Sequence, residues 1–170
     1  HALDDALKLG QTALDERMGG LLKRTETLAD DLTNAPVSLL AIRLSELKEA
    51  TDEGDLTIFS RQGQIVAFNG SQLGSIIPDL PEVGVMIRVR QGKPYVGLEN
   101  KRADDMKIRV VIALKDQEDL FLQALYPLPS RMTELAKSVE SAYLHYKEMA
   151  YLRDSLKITF SLTLSLILLL

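Results

Sequence analysis

The sequence predicts an α+β domain: an antiparallel sheet of about five strands set between a long N-terminal helix and a long C-terminal helix. Three observations predict it. Apolar residues recur at three- and four-residue steps from Leu3 to about Leu32. The period drops to two across most of the stretch from Asp55 to Tyr126. It turns helical again after Ser130, and the chain then becomes uncharged and apolar from Ile158 to Leu170.

The first helix carries a heptad seam of Leu7, Gln11, Leu14, Met18, Leu21, Thr25, Leu28 and Leu32. Gly10, Gly19 and Gly20 each weaken such a helix by about 1 kcal/mol, so it is expected to lean on a partner helix. That partner is either the domain itself or a second subunit. Pro36 stops the ladder and opens a second helix to about Ala50, with Val37, Leu40, Ala41, Leu44 and Leu47 on one face. The acidic turn Asp52-Glu53-Gly54-Asp55 lacks the ligand spacing of a calcium loop.

Leu56–Ser60 and Gln64–Asn69 read as a hairpin about Arg61-Gln62-Gly63. A loop with two glycines and two prolines runs from Gly70 to Pro81; no Lys follows its glycines, so it is no phosphate cradle. Val85–Arg90 alternates like a strand, although helix remains open for this segment, and Gln91-Gly92 turns it into Pro94–Glu99. Met106–Leu114 and Leu120–Tyr126 complete the sheet. Ser130 caps the last helix, with Glu134 in its first turn complementing the dipole. Val139, Ala142, Tyr146, Met149, Arg153 and Leu156 continue its seam as the expected signal-transmission face. The run 158–170 would cover roughly 20 Å of a ~30 Å hydrocarbon core. It is still apolar at Leu170, which predicts the start of a transmembrane helix in contact with membrane lipid. His1 stands where a Met would open a chain, and an upstream anchor is expected.

A net charge of −4 without a basic tract argues against a nucleic-acid partner. Cysteine is absent and the only histidines are His1 and His145, so neither thiol chemistry nor a zinc site is expected. No nucleophile–base pair can be assembled, and no metal, cofactor or catalytic residue is expected in this stretch. The residues that stand out are Arg88, Arg90, Tyr95, Glu99, Arg109 and Tyr126, all on predicted strands. A guanidinium offers a planar fork and a phenol a hydrogen bond, so together they form a candidate pocket for a small carboxylate. The alternative for the three arginines is a solvent-facing role.

Three stretches carry a family likeness: Ala2–Asp15, Arg90–Glu99 and Tyr151–Lys157 ahead of the apolar run. They resemble, in the same order, the sensor region of NtrY-type nitrogen-regulation histidine kinases. The resemblance implies a PAS/Cache-like extracytoplasmic sensor, in the periplasm and anchored in a bacterial inner membrane. Its expected divisions are a helix over 1–35, a sensor core over 36–128, an output helix over 129–157 and the start of a membrane helix over 158–170. It also implies a two-component signalling protein whose kinase core, with its ATP and Mg and its cognate response regulator, lies outside this chain. The paired seams predict a homodimer. The alternatives are a membrane-anchored scaffold, or the sensor of a chemoreceptor or cyclic-nucleotide enzyme.

Overall fold

The computed structural model describes residues 2–51, 54–70, 78–100, 106–115, 117 and 119–138. By contact the chain divides into two compact units, Ala13–Pro129 and a second made of His1–Thr12 with Ser130–Leu170.

The larger unit is built on one antiparallel sheet. Its strands are β1 (Asp55–Ser60), β2 (Ile65–Asn69), β3 (Tyr95–Asn100), β4 (Met106–Ala113) and β5 (Leu120–Pro127), in the order β2-β1-β5-β4-β3. β5 is therefore central although it is last in sequence. Register assigns the two faces. Ile108 pairs with Tyr126 and Leu98, Val110 with Ala124, and Ile58 with Leu122, so these side chains share one face. Arg109 pairs with Leu125 and Gly97, Val111 with Gln123 and Tyr95, and Thr57 with Gln123, so these share the other.

The first face packs on helix. In α1 (Ala2–Thr33), Leu14, Leu21, Thr25, Leu28 and Leu32 are buried, which places the predicted seam against its own unit. Thr25 donates its hydroxyl to the Leu21 carbonyl one turn back and also bonds the Tyr126 hydroxyl at 2.9 Å. After Pro36 the chain makes a 3-10 turn (Val37–Leu39) before α2 (Leu40–Thr51), which lies along β2. Leu40, Leu44 and Leu47 form its buried stripe; Val37 and Ala41, expected on that stripe, are exposed.

The second face packs on α3 (Val83–Arg90). This is the segment whose alternation predicts a strand, and it is a helix. Val85, Met86 and Val89 recur at helical spacing and meet Phe59, Val111 and Phe121, while Val83 and Ile87 are left outside. Tertiary packing here overrides the strand preference of valine and isoleucine. The helix ends in a Schellman motif: Lys93 N–H donates to the Arg88 carbonyl and Gly92 N–H to that of Val89, with Gly92 at φ 82°. The predicted turn at Gly63 is also left-handed, at φ 84°, and its N–H donates to the Ser60 carbonyl.

In the smaller unit residues 130–138 are helical and Ala136 is buried. A Cβ at Gly10 would lie 2.6 Å from Leu135 Cδ1, so this glycine lets the two helical segments approach closely. Gly19 and Gly20 have open space around them. The seam Val139, Ala142, Tyr146, Met149, Arg153 and Leu156 and the apolar run 158–170 lie outside the described residues. Among the described residues, no helix is long and apolar enough to cross a membrane.

Candidate functional site

On the α3 face of the sheet, side chains of four adjacent strands meet. Arg109 of β4 is 1% exposed, and Gln123 of β5 and Thr57 of β1 beside it are equally buried. A guanidinium this deep requires partners, because an unpaired buried charge is far costlier than an exposed one. It has them. Its Nε and Nη2 donate to the two carboxylate oxygens of Glu99 on β3, a bidentate pair at 2.5 and 2.8 Å. Nη1 donates to the Gln123 amide oxygen and, at 2.9 Å, to the backbone carbonyl of Asp79. Gln123 Nε2 donates to the same carbonyl at 2.7 Å.

These contacts follow from register. Glu99 and Gln123 lie one diagonal step from Arg109 across the β3–β4 and β4–β5 ladders, within reach of long side chains. The Asp79 carbonyl comes from the segment 78–82 that leads into α3. Its flanking Pro78 and Pro81 fix φ and supply no N–H, which restricts the conformations open to this short strap. Removing one acceptor from such a set, without a substitute, leaves a buried donor unpaired at about 1–3 kcal/mol.

Tyr95 borders the cluster. A Cβ at Gly97 would lie 2.0 Å from the Tyr95 hydroxyl oxygen, so the ring lies back along β3 over the side chain that Gly97 lacks. Burial raises the Tyr95 pKa above 10.0, the nearby Glu99 carboxylate raises it further, and Arg109 opposes both.

Of the six candidate residues, the structure brings together Arg109, Glu99 and Tyr95. Arg88 and Arg90 are exposed in the last turn of α3, where cations complement the helix dipole. Arg90 donates to the Arg61 carbonyl at 2.8 Å and lines a separate cavity of about 310 Å³ with Arg61, Val89, Gln117 and Phe121. Tyr126 is buried on the opposite face against Thr25. Gln123, Thr57 and the Asp79 carbonyl were not legible as site groups. Gln123 did leave a signal: it is the one polar side chain in Leu120–Leu125. Among the described residues no cluster of His, Cys, Asp or Glu could hold a metal.

No family model matches the chain, and no curated protein matches it in sequence. Solved structures do. The ligand-binding domain of the Campylobacter jejuni chemoreceptor Tlp3, in complex with L-valine, superposes with a TM-score of 0.55 at 12% identity, over 77% of this chain and 60% of that one. The E. coli DcuS sensor domain gives a TM-score of 0.44 at 13% identity, over 71% of this chain and 97% of that one. The likeness to the Tlp3 domain is one of fold, and this chain's own fold is α+β with a five-stranded antiparallel sheet. This chain spans 60% of that domain's length.

Proposed function

We propose that the chain is an extracytoplasmic ligand-sensing domain, and that the polar cluster on the α3 face of its sheet is where a small molecule binds. The observation that carries this is a pair of buried donors, Arg109 (itself paired with Glu99) and Gln123, converging on one backbone carbonyl. Nothing in sheet packing requires a charged pair there, and apolar residues of similar volume would pack as well or better. The Tlp3 domain, similar in fold, is a ligand-binding domain seen with L-valine.

The finer reading is a two-component sensor kinase of the NtrY type, dimeric, anchored in the inner membrane, with its kinase core and response regulator outside this chain. The resemblance of Ala2–Asp15, Arg90–Glu99 and Tyr151–Lys157 supports it. The segment downstream of Leu170 decides between a kinase and a chemoreceptor output.

A ligand must favour one arrangement of the unit by its difference in affinity for the two. The test is a thermal-shift and calorimetric screen with L-valine, isovalerate and isobutylamine, which share one branched body and differ in their charged groups. Carboxylates, amino acids and amines of other sizes extend it. Binding that weakens at least tenfold in Gln123→Met supports the site. Binding unchanged in Gln123→Met, Tyr95→Phe and Arg109→Lys removes it.

A further inference from the structure

We propose that the Asp79 carbonyl is an internal occupant of the polar subsite, and that a ligand enters by substituting its own carboxylate or carbonyl oxygen and displacing the strap 78–82. This rests on the reading that the α3 face binds a small molecule, and names the chemistry of that molecule.

The donor inventory points there. A guanidinium has five N–H groups, and those of Arg109 make four contacts: two to Glu99, one to Gln123 and one to Asp79. The three side-chain contacts tie strand to strand and belong to the sheet. The carbonyl contact alone ties the sheet to something outside it. Gln123 repeats the pattern, accepting from Arg109 and donating to Asp79. Two donors from different strands therefore converge on a single oxygen supplied by the covering segment, which is how a bound carboxylate or amide oxygen would be held.

Charge narrows the class. Glu99 already neutralises Arg109 with a bidentate pair, so a bare anion finds no net positive charge to compensate it. A zwitterion fits better: its carboxylate takes the Nη1 and Nε2 donors, and its ammonium faces Glu99, whose side chain keeps 24% exposure. The exchange replaces one oxygen by another on the same donors. How far the strap is displaced is then set by the difference in affinity of the ligand for the two states.

The chain lacks cysteine, so Leu80→Cys, at an exposed strap position beside Asp79, accepts a single spin label in the full chain. Label mobility is read during titration with L-valine, isovalerate and isobutylamine, alongside thermal shift. Expected are mobilisation by L-valine, a weaker response to isovalerate, none to isobutylamine, and mobilisation without any probe in Gln123→Met. Loosening the strap by Pro81→Gly should tighten L-valine binding about two- to fivefold, because the competitor is weakened. A probe that raises the melting temperature yet leaves the label immobile overturns strap displacement while the binding reading stands. Weaker binding in Pro81→Gly also overturns it, since the strap would then be part of the ligand's own site. If no oxygen-bearing probe binds at all, both readings fall.

Discussion

Arg109 and Glu99 offer the sharpest test of how this unit is held together. In Arg109→Met the aliphatic stem is roughly kept while the charge and four hydrogen bonds are lost. Breaking a buried pair by removing one partner costs about 3–5 kcal/mol. Glu99, 24% exposed, regains part of its hydration when left alone, so the lower end, about 3 kcal/mol, is expected. For a unit of this size that is a loss of roughly 10–15 °C in melting temperature. Glu99→Met strands a guanidinium that is 1% exposed and should cost about 3–5 kcal/mol. The double variant removes both charges; only Gln123 and the Asp79 carbonyl lose a partner, and it should fall within about 1–2 kcal/mol of the parent. The coupling energy is then about 3 kcal/mol or more, measured by urea unfolding followed by circular dichroism. Additive losses, within about 0.5 kcal/mol, would refute a buried pair.

Other variants test the surroundings. The raised pKa of Tyr95 means that the folded state holds its proton after the unfolded state has released it. This contribution is fully present below pH 10.0 and is lost as pH climbs from there through the folded value, so the stability difference between parent and Tyr95→Phe should be flat at neutral pH and fall above pH 10.0. Gly97→Ala puts a methyl where the Tyr95 hydroxyl lies, so the ring must swing away. Stability should change by only about 1 kcal/mol, because strand preference offsets the clash, while the phenol's absorbance titration returns toward its ordinary range. Gly92→Ala, at φ 82° in the α3 cap, should cost about 1 kcal/mol in the same unfolding assay. Thr25→Val removes a buried hydroxyl from Tyr126 and should cost about 1–2 kcal/mol, with no effect on any ligand that binds the α3 face.

How legible this was depended on whether the information was local. The heptad seam of α1, the hairpin at Gly63 and the strands on either side of Lys115 are local patterns, and each appears where the sequence places it. Tyr95 and Glu99 could be put on one face because positions separated by four in a strand share it. Tyr126 could not be placed relative to Arg109, since that depends on register across the connection 114–119. One residue of slip reverses every side chain of β5, and the observed pairing of Arg109 with Leu125 sends Tyr126 to the helix face. The segment 85–90 was ambiguous because Val85 and Val89 satisfy both periods while Ile87 fits only that of a strand, and contact with Phe59 and Phe121 decides for helix. The Asp79 carbonyl carries no sequence signal at all, being backbone.

The position of β5 limits what a binding event can do to this unit. Its Gln123 is engaged on one face by the strap, and its Tyr126 on the other by α1. Both edges are laddered, to β1 through Asp55–Ser60 and to β4 through Lys107–Ala113. Sliding β5 along its axis would break both ladders at once and, at a one-residue slip, put Leu122 and Gln123 on the wrong faces. The hold on the strand ends at Leu128, whose N–H donates to the Met106 carbonyl at 3.2 Å. Pro127 and Pro129 on either side have no N–H to give. The central strand is therefore fixed on both faces and along both edges as far as Leu128.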